Sequence, residues 1–162
     1  MQVVLEELRE DIKHAFQGVQ PPHAIGEMLA APYEASEDAL ELAAAFHGHA
    51  WSDVPIRDLF RHREMLFALS PVASRAYLPA YLVASLAAES SLDEYGADFR
   101  EYLLDSLAAE PGASADRVAT TRARLATLSP VQRDVVVAVV RYLADRWHVR
   151  RADDAVRCLS AI

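Results

Sequence analysis

The amino-acid sequence predicts an all-α fold: a compact single-domain bundle of about seven helices in an irregular or orthogonal arrangement. Three observations carry that expectation. Along most of the chain apolar residues recur at intervals of three and four, the period of one helix face. Serine followed by proline, the pattern of an N-cap and a first helical residue, stands at Ser70-Pro71 and Ser129-Pro130, where two such stretches begin. The chain has 162 residues, of which 52% are hydrophobic and 25% charged. A core of ordinary size then covers roughly two-thirds of the surface an unfolded chain would expose.

From Val4 to Phe16, Leu5, Leu8, Ile12, Ala15 and Phe16 share one face, and Gly18 with Pro21-Pro22 ends that first helix. A loop carrying His23 and Gly26 runs to Pro32. Ser36 is placed to cap a second helix, with Glu37 and Asp38 in its first turn, reaching Phe46 and stopping at Gly48. Asp53 is placed to cap a third, with Pro55 in its first turn and Ile56, Leu59, Phe60, Arg63, Leu66 and Phe67 as its apolar face. Ser70-Pro71 opens a fourth through Tyr77, and Pro79 either kinks it or starts another that continues to about Glu89. The fifth covers Tyr95 to Leu107 and closes at Pro111-Gly112, and the small polar residues around Ser114 suit a flexible connection. Val118, Leu125 and Leu128 mark a short sixth helix. Ser129-Pro130 opens the seventh, whose valines favour a strand on propensity. Val136, Val140, Leu143 and Trp147 nevertheless share one helical face over a length no average strand reaches. Ala155 to Leu159 adds a terminal turn.

The net charge of −8 is unevenly spread. From Asp116 onward nine arginines face five aspartates, so that part is +4 and the remainder carries −12. The chain 1–162 therefore divides into an acidic body, 1–110, and a mildly basic C-terminal segment, 114–162, expected to pack on it. An acidic body disfavours nucleic acid, whose phosphates need a positive field. The region from Met65 to Ala88 is the least charged, but Pro71, Arg75 and Pro79 interrupt it, so it is expected to be core and no membrane span is expected. The acidic opening lacks the basic region of an export signal, and the single cysteine, Cys158, suits a reducing compartment. A cytoplasmic protein is expected.

The signatures of common chemistry are missing. No nucleophile elbow, dinucleotide-binding turn, phosphate loop or His-Glu-x-x-His occurs, and no cofactor is expected. In Phe46-His47-Gly48-His49-Ala50-Trp51, His47 and His49 around a glycine could turn toward one metal, joined by His62 or Glu41. Against that, histidines at a helix end are common, and no clear acidic partner keeps a metal spacing. Asp11 with His14 and Asp145 with His148 are weaker pairs of the same kind. Trp51 suits an aromatic anchor against the third helix. Glu34, Glu37, Asp38 and Glu41 cluster at the second helix, and Glu89, Asp93 and Glu94 before the fifth; such runs are solvated faces or steer a basic partner. Tyr77 and Tyr81 share a face that is either core or a contact surface. Arg141, Arg146, Arg150, Arg151 and Arg157, interleaved with Asp145, Asp153 and Asp154, look paired rather than offered.

The pattern Phe46-x-Gly48-x-x-Trp51, followed by Leu69-Ser70-Pro71 and Tyr77-Leu78-Pro79-Ala80-Tyr81-Leu82, resembles a bacterial family of small uncharacterised helical proteins. The resemblance spans Ile12 to Leu107. It implies no activity and no catalytic residues. The functional expectation is therefore a non-enzymatic interaction module, immunity- or regulator-like, whose acidic face with Trp51, Tyr77 and Tyr81 meets a basic protein. A homo-oligomer stays open. The alternative is a metal-dependent enzyme using His47 and His49.

Overall fold

The computed structural model describes residues 2–31, 33–87, 96–109 and 112–162. Its organising element is α4 (Pro71–Ser85), in which ten of fifteen residues are buried. A helix that is apolar all round belongs inside, with other helices against every side. The others are α1 (Gln2–Ala15), α2 (Glu37–Phe46), α3 (Ile56–Arg61), α5 (Gly96–Leu107), α6 (Ala115–Leu125), α7 (Pro130–Trp147) and α8 (Ala152–Ser160). Among them α1, α3, α5, α6 and α7 pack directly on α4. The architecture is all-α. Among the described residues no strand forms, and Leu29 and Leu69 make only an isolated antiparallel bridge.

Local chemistry sets most boundaries. Leu8, Ile12 and Phe16, one turn apart, are the buried stripe of α1. Ser36, Ser70, Ser114 and Ser129 each accept a hydrogen bond from a backbone N–H in the first turn of α2, α4, α6 and α7. Each satisfies a donor that helix geometry leaves without an internal partner. Gly18 and Gly48 follow α1 and α2 with φ of +78° and +82°, where a Cβ would be strained. Ser114 is thus a cap rather than part of a flexible connection.

Three boundaries differ from the sequence expectation. Asp53 does not cap α3: the preceding turn is Trp51–Asp53, Pro55 occupies the N-cap position, and Asp53 Oδ1 accepts from Ser52 Oγ at 3.2 Å. Val54, which precedes the proline, is held extended, so the helix starts later. The expected apolar face through Phe67 also breaks, because α3 ends at Arg61 and Arg63–Ala68 continue as a tighter 3-10 helix. Ile56 is left 52% exposed. Finally, the terminal turn is the full helix α8; at Pro79, where a new helix was one of two alternatives, α4 runs on as one helix. Pro32, Glu89, Asp93, Glu94, Tyr95 and Pro111 lie outside the described residues.

Buried polar side chains fasten the helices. Gln132 completes a reciprocal cap with Ser129, donates to Ala15 O at 3.1 Å and accepts from Arg75 Nε at 3.2 Å, tying α7 to α1 and α4. Arg100 on α5 donates to Ser85 O at 3.1 Å while its guanidinium lies 3.7 Å from the Trp147 ring centre. The basic C-terminal corner meets acids of α5: Arg151 pairs with Asp105 at 2.5 Å, and the Arg150 N–H donates to Glu101 at 3.0 Å.

Candidate functional site

Glu34, in the turn Tyr33–Ala35, and Glu37, Asp38 and Glu41 on α2 are all exposed. Glu37 and Asp38 occupy the first turn, where the backbone N–H groups favour negative charge. Glu41 accepts from Arg61 Nη2 at 3.0 Å, a pair between α2 and α3 that neutralises part of the cluster. Leu40 stands between Glu37 and Glu41 on the same exposed stripe and is itself 48% exposed. Sequence periodicity placed no weight on it. Trp51 is half-buried against the core, in a turn that packs on α4.

Tyr77 and Tyr81 correct the expected contact surface. Both are buried, because the middle of α4, from Ala76 to Leu82, is enclosed on all sides. Tyr77 OH donates to Phe46 O at 2.7 Å. Tyr81 stacks on Phe99 at 5.6 Å between ring centres, and its hydroxyl has no hydrogen-bond partner among the described residues. Burial pushes the Tyr77 phenol up to about 12 and Tyr81 further in the same direction. They are core.

The histidines do not converge. His47 Nε2 donates to His23 O at 3.1 Å, and His49 is exposed on the other side of Gly48. His62 is buried edge-on to Phe46, with ring centres 6.3 Å apart, while Glu41 is turned to Arg61. Asp11 with His14 and Asp145 with His148 lie at exposed positions. Among the described residues no group of three or more His, Cys, Asp or Glu is gathered to hold a metal. Of the C-terminal arginines, Arg151 and Arg157 both pair with Asp154, and Arg146 lies 5.8 Å from the Trp147 ring centre. Cys158 is half-buried against the core.

A second charged region lies in a cavity of about 910 Å³ whose walls include Tyr33, Phe67, Tyr102, Thr120, Arg117 and Arg124. Tyr33 and Phe67 meet edge to face at 5.1 Å. Arg124 is only 6% exposed, and its Nε and Nη1 are shielded from water without a hydrogen-bond partner among the described residues. Burial lowers its pKa to about 10, Tyr33 opposes that shift, and Arg117 adds to it. The sequence reading missed Arg124. Its signal was the stripe Thr121, Arg124, Leu125 and Leu128, in which a cation occupies a position the helix period assigns to the core.

Fold and surface together define an all-α protein whose charged features are an exposed face and a cavity. Among the described residues no helix is long and apolar enough to cross a membrane. The chain belongs to a family of unknown function, DUF6714, whose model matches residues 4–161. That match extends past Leu107 through the C-terminal helices, beyond the span of the sequence resemblance. No curated protein and no solved structure matches the chain.

Proposed function

We propose that this protein is a non-catalytic interaction module of the cytoplasm, immunity- or regulator-like, which holds a basic protein partner on the acidic face of α2. The observation that carries the proposal is Leu40, an exposed apolar side chain set between Glu37 and Glu41. Burying such a centre supplies contact energy, and surrounding acids steer a cationic partner and set its register. The −12 carried by the chain before Asp116 extends the attraction to longer range at low salt. Arg61 holds Glu41 in place, so part of the face is ordered before any partner arrives.

The test is native mass spectrometry of the chain recovered from its own host at natural expression level through a small non-histidine tag. A stoichiometric second polypeptide that is lost from the Glu37→Lys/Asp38→Lys variant and from Leu40→Ala supports the proposal. A partner that survives both changes, or the bare chain alone, overturns it. Glu41 stays unchanged in these variants because replacing it would also break the Arg61 pair. For the alternative, a metal enzyme using His47 and His49, the third ligand is still to be found, and elemental analysis of untagged protein decides it.

A further inference from the structure

The geometry points to a second cavity, between the end of α1 and the first turns of α4 and α7, as a binding site for the phosphoryl group of a small molecule. It is independent of the α2 proposal. The cavity measures about 350 Å³, and Gln17, Gln20, Val72, Arg75, Ser129 and Gln132 are among its walls. That volume falls within the range of small-molecule sites, about 300–1,000 Å³. Arg75 is held there by a buried residue. Gln132, only 2% exposed, accepts from Arg75 Nε and from the Ser129 N–H on one oxygen and donates to Ala15 O. With Nε engaged, the plane of the guanidinium is set before any ligand arrives, which lowers the ordering cost of binding.

The surroundings narrow the class. Arg75 Nη1 and Nη2 have no partner among the described residues and stay open to water, so their N–H fork is free to meet two oxygens of an anion. Ser129 Oγ accepts from the Gln132 N–H, which leaves its own O–H to donate to a ligand. Gln17 and Gln20 add carboxamides, and among the described residues no Asp or Glu lines the cavity. The carbonyls that end α1 would oppose an anion, yet those of His14, Ala15 and Phe16 already accept from Gln17 N–H, Gln132 Nε2 and Val19 N–H. Donors thus come from α4, from the cap of α7 and from the turn after α1. That spread suits the tetrahedral oxygens of a phosphoryl group better than the flat pair of a carboxylate.

The experiment titrates the full chain at constant ionic strength with inorganic phosphate, glycerol 3-phosphate and acetate, by calorimetry and by the ¹⁵Nε resonance of Arg75. One phosphate compound per chain is expected to bind saturably, shift that resonance and bind about tenfold or more tightly than acetate. Tighter binding of glycerol 3-phosphate supports a phosphomonoester as the ligand, and tighter binding of inorganic phosphate supports the free ion. Arg75→Gln should weaken binding about tenfold or more. Val72→Glu sets a carboxylate at a wall position that is 59% exposed, leaves the Arg75–Gln132 bond alone, and should weaken binding similarly; it decides the matter if the Arg75 variant does not fold. Absence of saturable binding by both phosphate compounds overturns the inference, as does undiminished binding by Val72→Glu and any folded Arg75→Gln. Acetate binding as tightly as either phosphate compound overturns the phosphoryl class.

Discussion

The acidic face of α2 and the Arg124 cavity are both charged, yet they stand in opposite relations to water. Glu34, Glu37, Asp38 and Glu41 keep their hydration, so each contributes little locally and acts mainly through a summed, salt-screened field. Arg124 has lost its hydration, so one side chain dominates its surroundings at short range. The contrast shows that net charge reports the weaker kind of site. A total of −8 draws attention to the acids, while the more perturbed group is a cation.

The contrast breaks first at Arg124. Arg124→Met should raise the unfolding free energy in urea by about 1–3 kcal/mol, because an unmatched buried polar group is replaced by an apolar one of similar length. A loss of that size would reveal a hidden counter-charge and make Arg124 structural. On the exposed side, Glu37→Lys/Asp38→Lys should weaken partner binding about tenfold or more. It should cost the fold no more than roughly 1 kcal/mol per residue from the helix terminus. Binding that is unchanged between low and high salt would remove the electrostatic account.

Tyr77 and Tyr81 repeat the comparison within the core. Tyr77→Phe forfeits the bond to Phe46 O and should lose about 1 kcal/mol, whereas Tyr81→Phe removes an unmatched hydroxyl and should lose nothing. Equal losses in chemical denaturation would mean that Tyr81 has a partner as well. The smallest effect belongs to His62, where burial and then Arg61 lower the pKa below 6.5 while Asp58, Glu41 and Asp38 pull weakly the other way. The unfolded imidazole binds a proton near 6.5 and the folded one resists it. His62 therefore supports full stability above pH 6.5 and loses stability as pH falls below that value, by less than about 1.4 kcal/mol per unit. His62→Gln should flatten that slope in urea melts from pH 7 to 5; an unaltered slope would assign the acid sensitivity elsewhere.

Helices were legible because their signals are local. Ser36, Ser70 and Ser129 precede helices by the same short-range bond whatever packs on them, and the period of Leu8, Ile12 and Phe16 needs no partner to be seen. Asp53 misled because Pro55 governed the backbone, holding Val54 extended and starting the helix later. The candidate site was half legible. The exposed acids of α2 followed from composition, but the place of Tyr77 and Tyr81 depended on whether α4 was covered on one side or on all. A two-residue spacing around Gly48 could not say that His47 would turn to His23.

By itself, the sequence determined the helical class, most helix starts, the absence of common catalytic motifs and the uneven charge. All of these rest on residues within a few positions of one another. Only the tertiary structure decided which face of each helix meets water. It left Leu40 exposed among acids, enclosed both tyrosines, and gathered Tyr33, Phe67, Thr120 and Arg124 from distant parts of the chain around one cavity. The physical reason is that burial belongs to the assembled packing, and how far a side chain such as Arg124 is desolvated depends on it.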